Sequence, residues 1–475
     1  MSGDQQTRAI WAAIGETIAA QAVMLRDAAT FDDPVAAAVL TALDGARRGD
    51  PPAAPLTALV AAFDERLDAL VSPGAAGAPG IARTRAEVAA TALRLILRDD
   101  VLALQESLDR FRLALLDVAA EHVFTLMQAY GEGQPLQATS LAHWLGGALG
   151  PLGRATMRLR NAFSEANCSP MGAMSLASTG LRVDRELVAS RLGCDGPVPN
   201  TLDALAATDH LVAALDAAVA ATSPVARLLD ELRDWLRAEP ASLRLDEEWL
   251  ADSDPAVPQF RPAAALDRIV ADARALRADA AATAGMLADI PYGPAGHALD
   301  QPAARTLAAL AIARSVLDRA AALVASVKVN RAHLANRAGR DFTTASELAD
   351  FIMLEEGIDP ASARAIAALS IRRATDAGLE MGGLTPQVID GAALLVIGRE
   401  LGIEIERFGG YLAPRRVLER RTATGSPAPA ATRDWLELER TRVLADERWR
   451  DETAAKLRDA HARLEREVAE ILATE

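Results

Sequence analysis

The sequence predicts an all-α fold built around a long central helical bundle, and three observations carry that expectation. Apolar residues recur at helical spacing over long runs, the clearest being LRLILRDDVLALQESLDRFRLALLDVAAEHV within 83–166. The apolar mass, 51% of 475 residues, is mainly Ala, Leu and Val, with only 4% aromatic residues, a composition that suits close helix–helix contact better than β-sandwiches. Stretches such as GARRGDPPAAP, SPGAAGAPG and TATGSPAPAAT are too rich in proline and glycine to continue a helix and punctuate the runs as loops.

Taken in order, residues 1–82 read as an N-terminal helical domain. Residues 83–330 read as the central bundle, because helices this long, laid antiparallel, bury an apolar stripe on one another. Its periodic runs cover 83–166, with breaks at 131–135 and 167–180, then 202–237, 263–287 and 302–336. From 331 to 421 shorter helices between GIDP, GGLTP and GGYLAP suggest a compact C-terminal domain. Residues 422–475 form a linker and a charged final helix, from about 434 to 473. On that helix Leu436, Val443, Leu457, Leu464 and Ile471 share a seven-residue stripe interrupted by Arg450, a pattern equally compatible with docking on its own subunit and with an inter-subunit coiled coil.

Fifty Lys+Arg against 65 Asp+Glu give a net charge of −15, which argues against a nucleic-acid or anionic-membrane partner. Lysine occurs only at Lys328 and Lys456. The two cysteines, Cys168 and Cys194, make no metal spacing or disulfide framework, as expected of a reducing, cytoplasmic compartment. MSGDQQTRAIW lacks the pattern of a signal peptide, and alanine-rich runs such as AALAIARSVLDRAAALVASV carry too many charges for a transmembrane span. No metal cluster or phosphate-binding loop is visible, so no cofactor is expected.

The segment NCSPMGAMSLASTGLRVDRELVASRLG is a helix end, a loop of small residues that allow close backbone approach, and Asp184 as a cap for a new helix. It resembles the Ser-Pro-Leu-Gly-x-x-x-Leu-Ala-x-Thr loop of argininosuccinate lyases, in the aspartase/fumarase superfamily, through Asn167, Ser169, Pro170, Gly172, Leu176, Ala177, Thr179, Asp184, Arg185 and Glu186. IARTRAEVAATALRLILRD is similar to that family's Gly-Arg-Ser-Arg-Asn-Asp helix start, retaining Arg83 and Arg85 with Thr84 between them. NTLDALAATDH and VKVNRAHLANRAGRDFTTASELADFI match two further family segments in order. The resemblance implies three helical domains, a homotetramer whose active sites are each assembled from three subunits, and elimination that begins with proton removal and releases fumarate.

The resemblance also locates departures. The family carries its catalytic serine on a mobile Gly-Ser-Ser-x-Met-Pro-x-Lys-x-Asn-Pro loop, whose place is taken by ADSDPAVPQFRP, residues 251–262. Matching Val-Pro-Gln to Met-Pro-Gln puts Asp254 at the serine and Phe260 at the lysine. Counting from Trp249 puts Ser253 at the serine, and both registers lose the lysine and the glycine. The family's Tyr-Thr-His-x-Gln segment reads Tyr130, Gly131, Glu132, Gly133, Gln134, so Glu132 replaces the histidine. LVAAFDER stands where a His-Met-Asn segment belongs, and Ala86 replaces an asparagine.

On this reading Ser253, Asp254 and Glu132 are the candidate acid/base residues, expected to converge on one pocket, since two carboxyls of different burial can serve as acid and base. Arg83, Thr84, Arg85, Gln134, Gln137, Ser169, Tyr292, His297 and Phe260 are the candidate substrate contacts. Fewer carboxylate-binding side chains than in the family argue against ordinary argininosuccinate cleavage and for a non-standard small-molecule substrate. The competing expectation is a catalytically silent homotetramer that binds a ligand or partner. His122, His143 and Cys168 read as packed structural residues.

Overall fold

Long amphipathic runs in this chain can be satisfied only by one another, and the structure, a computed structural model describing residues 3–473, shows how they are paired. The N-terminal helices α1 (Gly3–Asp27), α2 (Asp33–Arg47) and α3 (Leu56–Leu70) pack together and onto the next helix, α4 (Arg85–Glu121). Asp32 caps α2 by accepting from the Val35 amide, and Trp11 stacks on Phe63 with ring centres 4.7 Å apart. At 37 residues α4 is about 55 Å long. It begins with a reciprocal cap in which Thr84 and Glu87 each satisfy the other's backbone amide.

Helix α4 ends at Glu121, well before the break expected at 131–135. The chain then forms a hairpin of strands β1 (Leu126–Gly131) and β2 (Gln134–Ser140) before α5 (Leu141–Ala166). Glu132 and Gly133 are its two-residue turn, with φ of +52° and +77°, the paired left-handed geometry that matches strand twist. Apolar spacing alone could not separate this short β segment from a continuing helix.

After a short parallel pairing of β3 (Cys168–Ser169) with β4 (Gly196–Pro197), between which α6 (Arg185–Arg191) is inserted, come α7 (Asp203–Ala206) and α8 (Asp209–Ala238). Antiparallel α9 (Ala264–Ala288) and α10 (Asp300–Ser326) complete the bundle: α4 lies against α5 and α10, and α8 against α5, α9 and α10. By length and composition α8 is apolar enough to cross a membrane, contrary to the sequence expectation; it is an inner helix of the bundle, with Leu211, Leu215, Val225 and Leu229 buried. The run expected over 302–336 is split. Residues of β6 (Lys328–Val329) pair with β5 (Leu243–Arg244), and Asn330 then caps a separate α11 (Arg331–Arg337).

Helices α12 (Ser346–Leu354), α13 (Pro360–Asp376), α14 (Pro386–Ile397), α15 (Ile405–Leu412) and α16 (Pro414–Arg420) enclose their own core around Phe351, Ile366, Ile389 and Phe408. The final helix, α17 (Pro429–Ala473), starts inside the expected linker and returns along α4 and α5. Leu436, Val443, Leu464, Val468 and Ile471 are buried in the main core, so the stripe docks on its own chain.

Charges reinforce that docking. Arg112 of α4 has a fully buried side chain and reaches Asp446 at 2.6 Å and Glu439 at 3.5 Å, both on α17. Arg160 of α5 also reaches Asp446 at 2.6 Å and lies 4.7 Å over the Trp449 ring. Asp109 accepts from the Gln105 amide at 2.7 Å and faces Arg450 at 3.5 Å.

Candidate active site

The residues singled out in the sequence fall into four groups on the protomer. The first sits at the start of α4. Arg83 is buried and bound to Asp64 at 2.8 Å, while the half-exposed Arg85 reaches the other Asp64 oxygen at 2.9 Å. Asp64, within LVAAFDER, therefore offsets part of the positive charge that these arginines would offer an anion. Arg83 also donates to the Pro79 carbonyl, which makes it part of the scaffold, and leaves Arg85 as the arginine with a solvent face.

The same cluster fixes the small-residue loop after α5. Glu87 is fully buried; one carboxyl oxygen accepts from the Thr84 amide and the other from the Met174 amide, each at 2.8 Å. Thr84 Oγ1 donates to the Met174 carbonyl at 3.0 Å. Met174 has φ +56°, a left-handed conformation that costs a non-glycine residue energy and is held here by both of its backbone partners. From the other side Arg185 donates to the Met171 and Val198 carbonyls. Ser169 is fully buried, with its hydroxyl accepting from the Met171 amide at 3.3 Å, so in this conformation it shapes the turn and is closed to solvent.

Burial pushes the Glu87 carboxyl upward against the pull of its backbone donors. Glu87→Ala is expected to cost about 2–4 kcal/mol by leaving two partly buried amides without their carboxylate acceptor. Hydrogen exchange should then quicken at Thr84 and across 171–180, and unchanged protection there would show that Glu87 does not hold the loop.

The second group is the hairpin. Glu132, Gln134 and Gln137 are exposed, Glu132 at its tip. Its base is tied down: Tyr130 donates to Glu239 at 2.5 Å, Gln128 donates to the Arg337 carbonyl at 2.6 Å, and the Ala138 amide donates to the Thr343 carbonyl at 3.2 Å. Burial and the adjoining Glu239 hold the Tyr130 hydroxyl well above its ordinary range. Glu239 also faces Arg337 at 3.3 Å and His333 at 3.5 Å.

The third group is the 251–262 loop between α8 and α9. Its ends are joined by the Ala251 amide donating to the Pro262 carbonyl at 2.8 Å, and Arg261 bonds Glu247 and the Ala251 carbonyl. Asp254 is exposed and accepts from the Ala256 amide at 2.8 Å, forming a tight turn. Ser253 is half-buried with no hydrogen bond among the described residues, and Phe260 is 64% exposed.

The fourth group lies before α10. Tyr292 is exposed and donates to Asp203 at 3.2 Å, which links it to the NTLDALAATDH segment. His297 Nδ1 lies 2.7 Å from the Thr57 hydroxyl, and Asp300 accepts from both the amide and the hydroxyl of Thr57.

Within one protomer no hydrogen bond or ion pair joins Glu132 to Ser253 or Asp254 among the described residues. The hairpin is held by Glu239, α11 and the C-terminal helices, and the loop closes on itself beside α8. The remaining expectations concern inert side chains. Burial raises the Cys168 thiol and pushes Cys194 up to about 11, which keeps both protonated and unreactive. His143 is lowered by burial and bonded to Thr139 and the Gly425 carbonyl. No cluster of metal-ligating side chains is present among the described residues.

Asp64, Glu87, Glu239 and Thr57 are partners that sequence reasoning missed. For Glu87 a signal existed, since Thr84-Arg-Ala-Glu87 is a capping-box spacing. Asp64 and Glu239 reach their partners through tertiary packing and left no local trace.

A family model described as Lyase matches residues 75–248. The argininosuccinate lyase of Methanoculleus marisnigri is 31% identical over 415 residues, spanning 85% of this chain and 83% of that protein. That of Natronomonas pharaonis is 33% identical over 312 residues, covering 65% and 61%. In fold, the chain is similar to EDDS lyase in complex with formate, with a TM-score of 0.89 at 24% identity over 100% of this chain and 95% of that one. It is more distantly similar to class II fumarase from Schistosoma mansoni, with a TM-score of 0.69 at 13% identity over 86% and 90%. An identity of 31% sustained over 83% of a relative's length, on the same helical frame, makes this chain an argininosuccinate-lyase-like member of the aspartase/fumarase superfamily, an enzyme of acid/base elimination.

Proposed function

We propose that the enzyme eliminates across a carbon–carbon bond of a small carboxylate other than argininosuccinate, with Ser253 as the proton-abstracting residue and Glu132 and Asp254 as supporting acid/base groups. The observation that carries this reading is the 251–262 loop: it keeps an unpartnered, half-buried serine beside an exposed aspartate, and in neither register does it offer a lysine to bind a second carboxylate. The Asp64 fork on Arg83 and Arg85 points the same way, because it leaves one arginine face for an anion where a doubly anionic substrate needs more. A β-amino acid with a single carboxylate and an N-linked leaving group, tested beside nitrosuccinate and EDDS, named for a neighbouring lyase, is the substrate to compare with argininosuccinate.

No hydrogen bond or ion pair links the candidate residues of one group to those of another on one protomer, among the described residues. A homotetramer with shared sites would unite them: the hairpin of one subunit, the serine loop of a second, and the Arg85 cluster of a third. Such an enzyme needs no cofactor and would work in the cytoplasm.

The test is ultraviolet detection of fumarate, or of another unsaturated product, with that substrate panel. Turnover of at least one member other than argininosuccinate is expected, with Ser253→Ala reduced about 10²–10⁴-fold, the range for loss of a positioned proton-transfer group. Asp254→Asn should lose less. Efficient cleavage of argininosuccinate would overturn the substrate reading, and full activity in Ser253→Ala would overturn the assigned role.

A further inference from the structure

Beneath the 251–262 loop lies a cleft of about 480 Å³. Its fixed wall is the end of α8 with the strand at Leu243–Arg244, and its other wall is the returning limb of the loop itself, Phe260 included. None of Ser253, Asp254 and Glu132 lines it.

Charge in this cleft is unbalanced. Arg233 is matched by Asp230 and Asp267, and Arg261 by Glu247, which uses both carboxylates that line the cleft. Arg237 and Arg244 also line it; both are exposed, and neither side chain has an ion pair or hydrogen bond among the described residues. Around them Leu236, Leu243, Leu250 and Phe260 supply an apolar surface. A neutral ligand would leave the two guanidinium groups unmatched, and a cation would be repelled. A wholly polar anion would leave the apolar surface wet. The volume lies within the range of ordinary small-molecule sites, where a few placed polar groups orient an apolar body.

We infer that this cleft binds a small carboxylate with an aliphatic or aromatic body, its carboxylate taken by Arg237 and Arg244 and its body laid against Leu236 and Phe260. Because one wall is the serine loop, occupancy holds that loop in place. The site is separate from the acid/base residues and does not depend on their assignment.

Calorimetric titration of the full chain with 3-phenylpropionate tests this. Saturable binding at one site per chain is expected, weakened about tenfold or more in Arg237→Gln/Arg244→Gln, since charge-assisted bonds are lost. Both arginines are exposed, so the variant should melt with the wild type. The uncharged 3-phenylpropanol should bind at least about tenfold more weakly, saturating fumarate should not compete, and hydrogen exchange across 252–259 should slow when the wild type is filled. No binding to the wild type, undiminished affinity in the double variant, or displacement by fumarate would overturn the site. Unchanged exchange in 252–259 would overturn its hold on the loop.

Discussion

Arg112→Met is expected to loosen the C-terminal helix and to cost about 3–5 kcal/mol, the usual penalty for removing one partner of a buried ion pair. The methionine fills much the same volume, so the loss is electrostatic rather than a cavity. Arg112 is the one fully buried cation facing Asp109, Glu439 and Asp446, and without it Glu439 and Asp109, both essentially closed to solvent, keep only cations at the edge of the network. Taking charges out of water is repaid only by close partners, and here the partner spans two helices distant in sequence. The measurements are the apparent melting temperature and hydrogen exchange along α17, where protection between 432 and 460 should fall. Arg112→Lys should recover part of the loss, because one ammonium cannot at once reproduce the Nη1 bonds to Asp446 and Thr156 and the Nη2 contact to Glu439. A Met variant with wild-type melting and protection would refute the account.

Asp109→Asn is expected to stabilise the protein at pH 8 and to stabilise it about a third as much at pH 5. Burial pushes the Asp109 carboxyl up to about 7, against the opposing pull of Arg112 and the Gln105 hydrogen bond, with Asp446 adding to the rise and Arg450 opposing it. In the unfolded chain the same group titrates near 4. Between about pH 4 and 7 the folded protein therefore holds a proton that the unfolded chain has released, so stability falls as pH rises through that window and levels off above it. The shift is about 3 units, which sets a ceiling of about 4 kcal/mol on the gain from removing the charge. Urea midpoints at the two pH values check the claim. Equal effects at pH 5 and 8 would mean that Asp109 is ionised throughout.

Both predictions concern a helix whose role the sequence left open. The stripe through Leu436, Val443, Leu464 and Ile471 was readable, as was its interruption by Arg450, yet a stripe specifies only that something apolar will cover it. Its cover turns out to be α4 and α5 of the same chain. The interrupting Arg450 is half of an ion pair with Asp109, a residue more than three hundred positions away.

The site divides in the same way. Residue types and spacing sufficed for the family: the small-residue loop at 167–180, the helix start at Arg83–Arg85, the segment after Asn200 and the altered serine loop are local patterns, legible because turns and periodicity act over a few residues. The hairpin at 126–140 was missed because a short apolar segment looks alike in a strand and in a helix. The fold class and the family followed from local pattern alone. What tertiary structure decided was every pairing between distant residues: Asp64 on Arg83 and Arg85, Glu87 on Met174, and Glu239 on Tyr130. Periodicity and capping depend on neighbours in the chain and are written in order along it, whereas charge pairing and burial depend on neighbours in space, which exist only once the helices have packed.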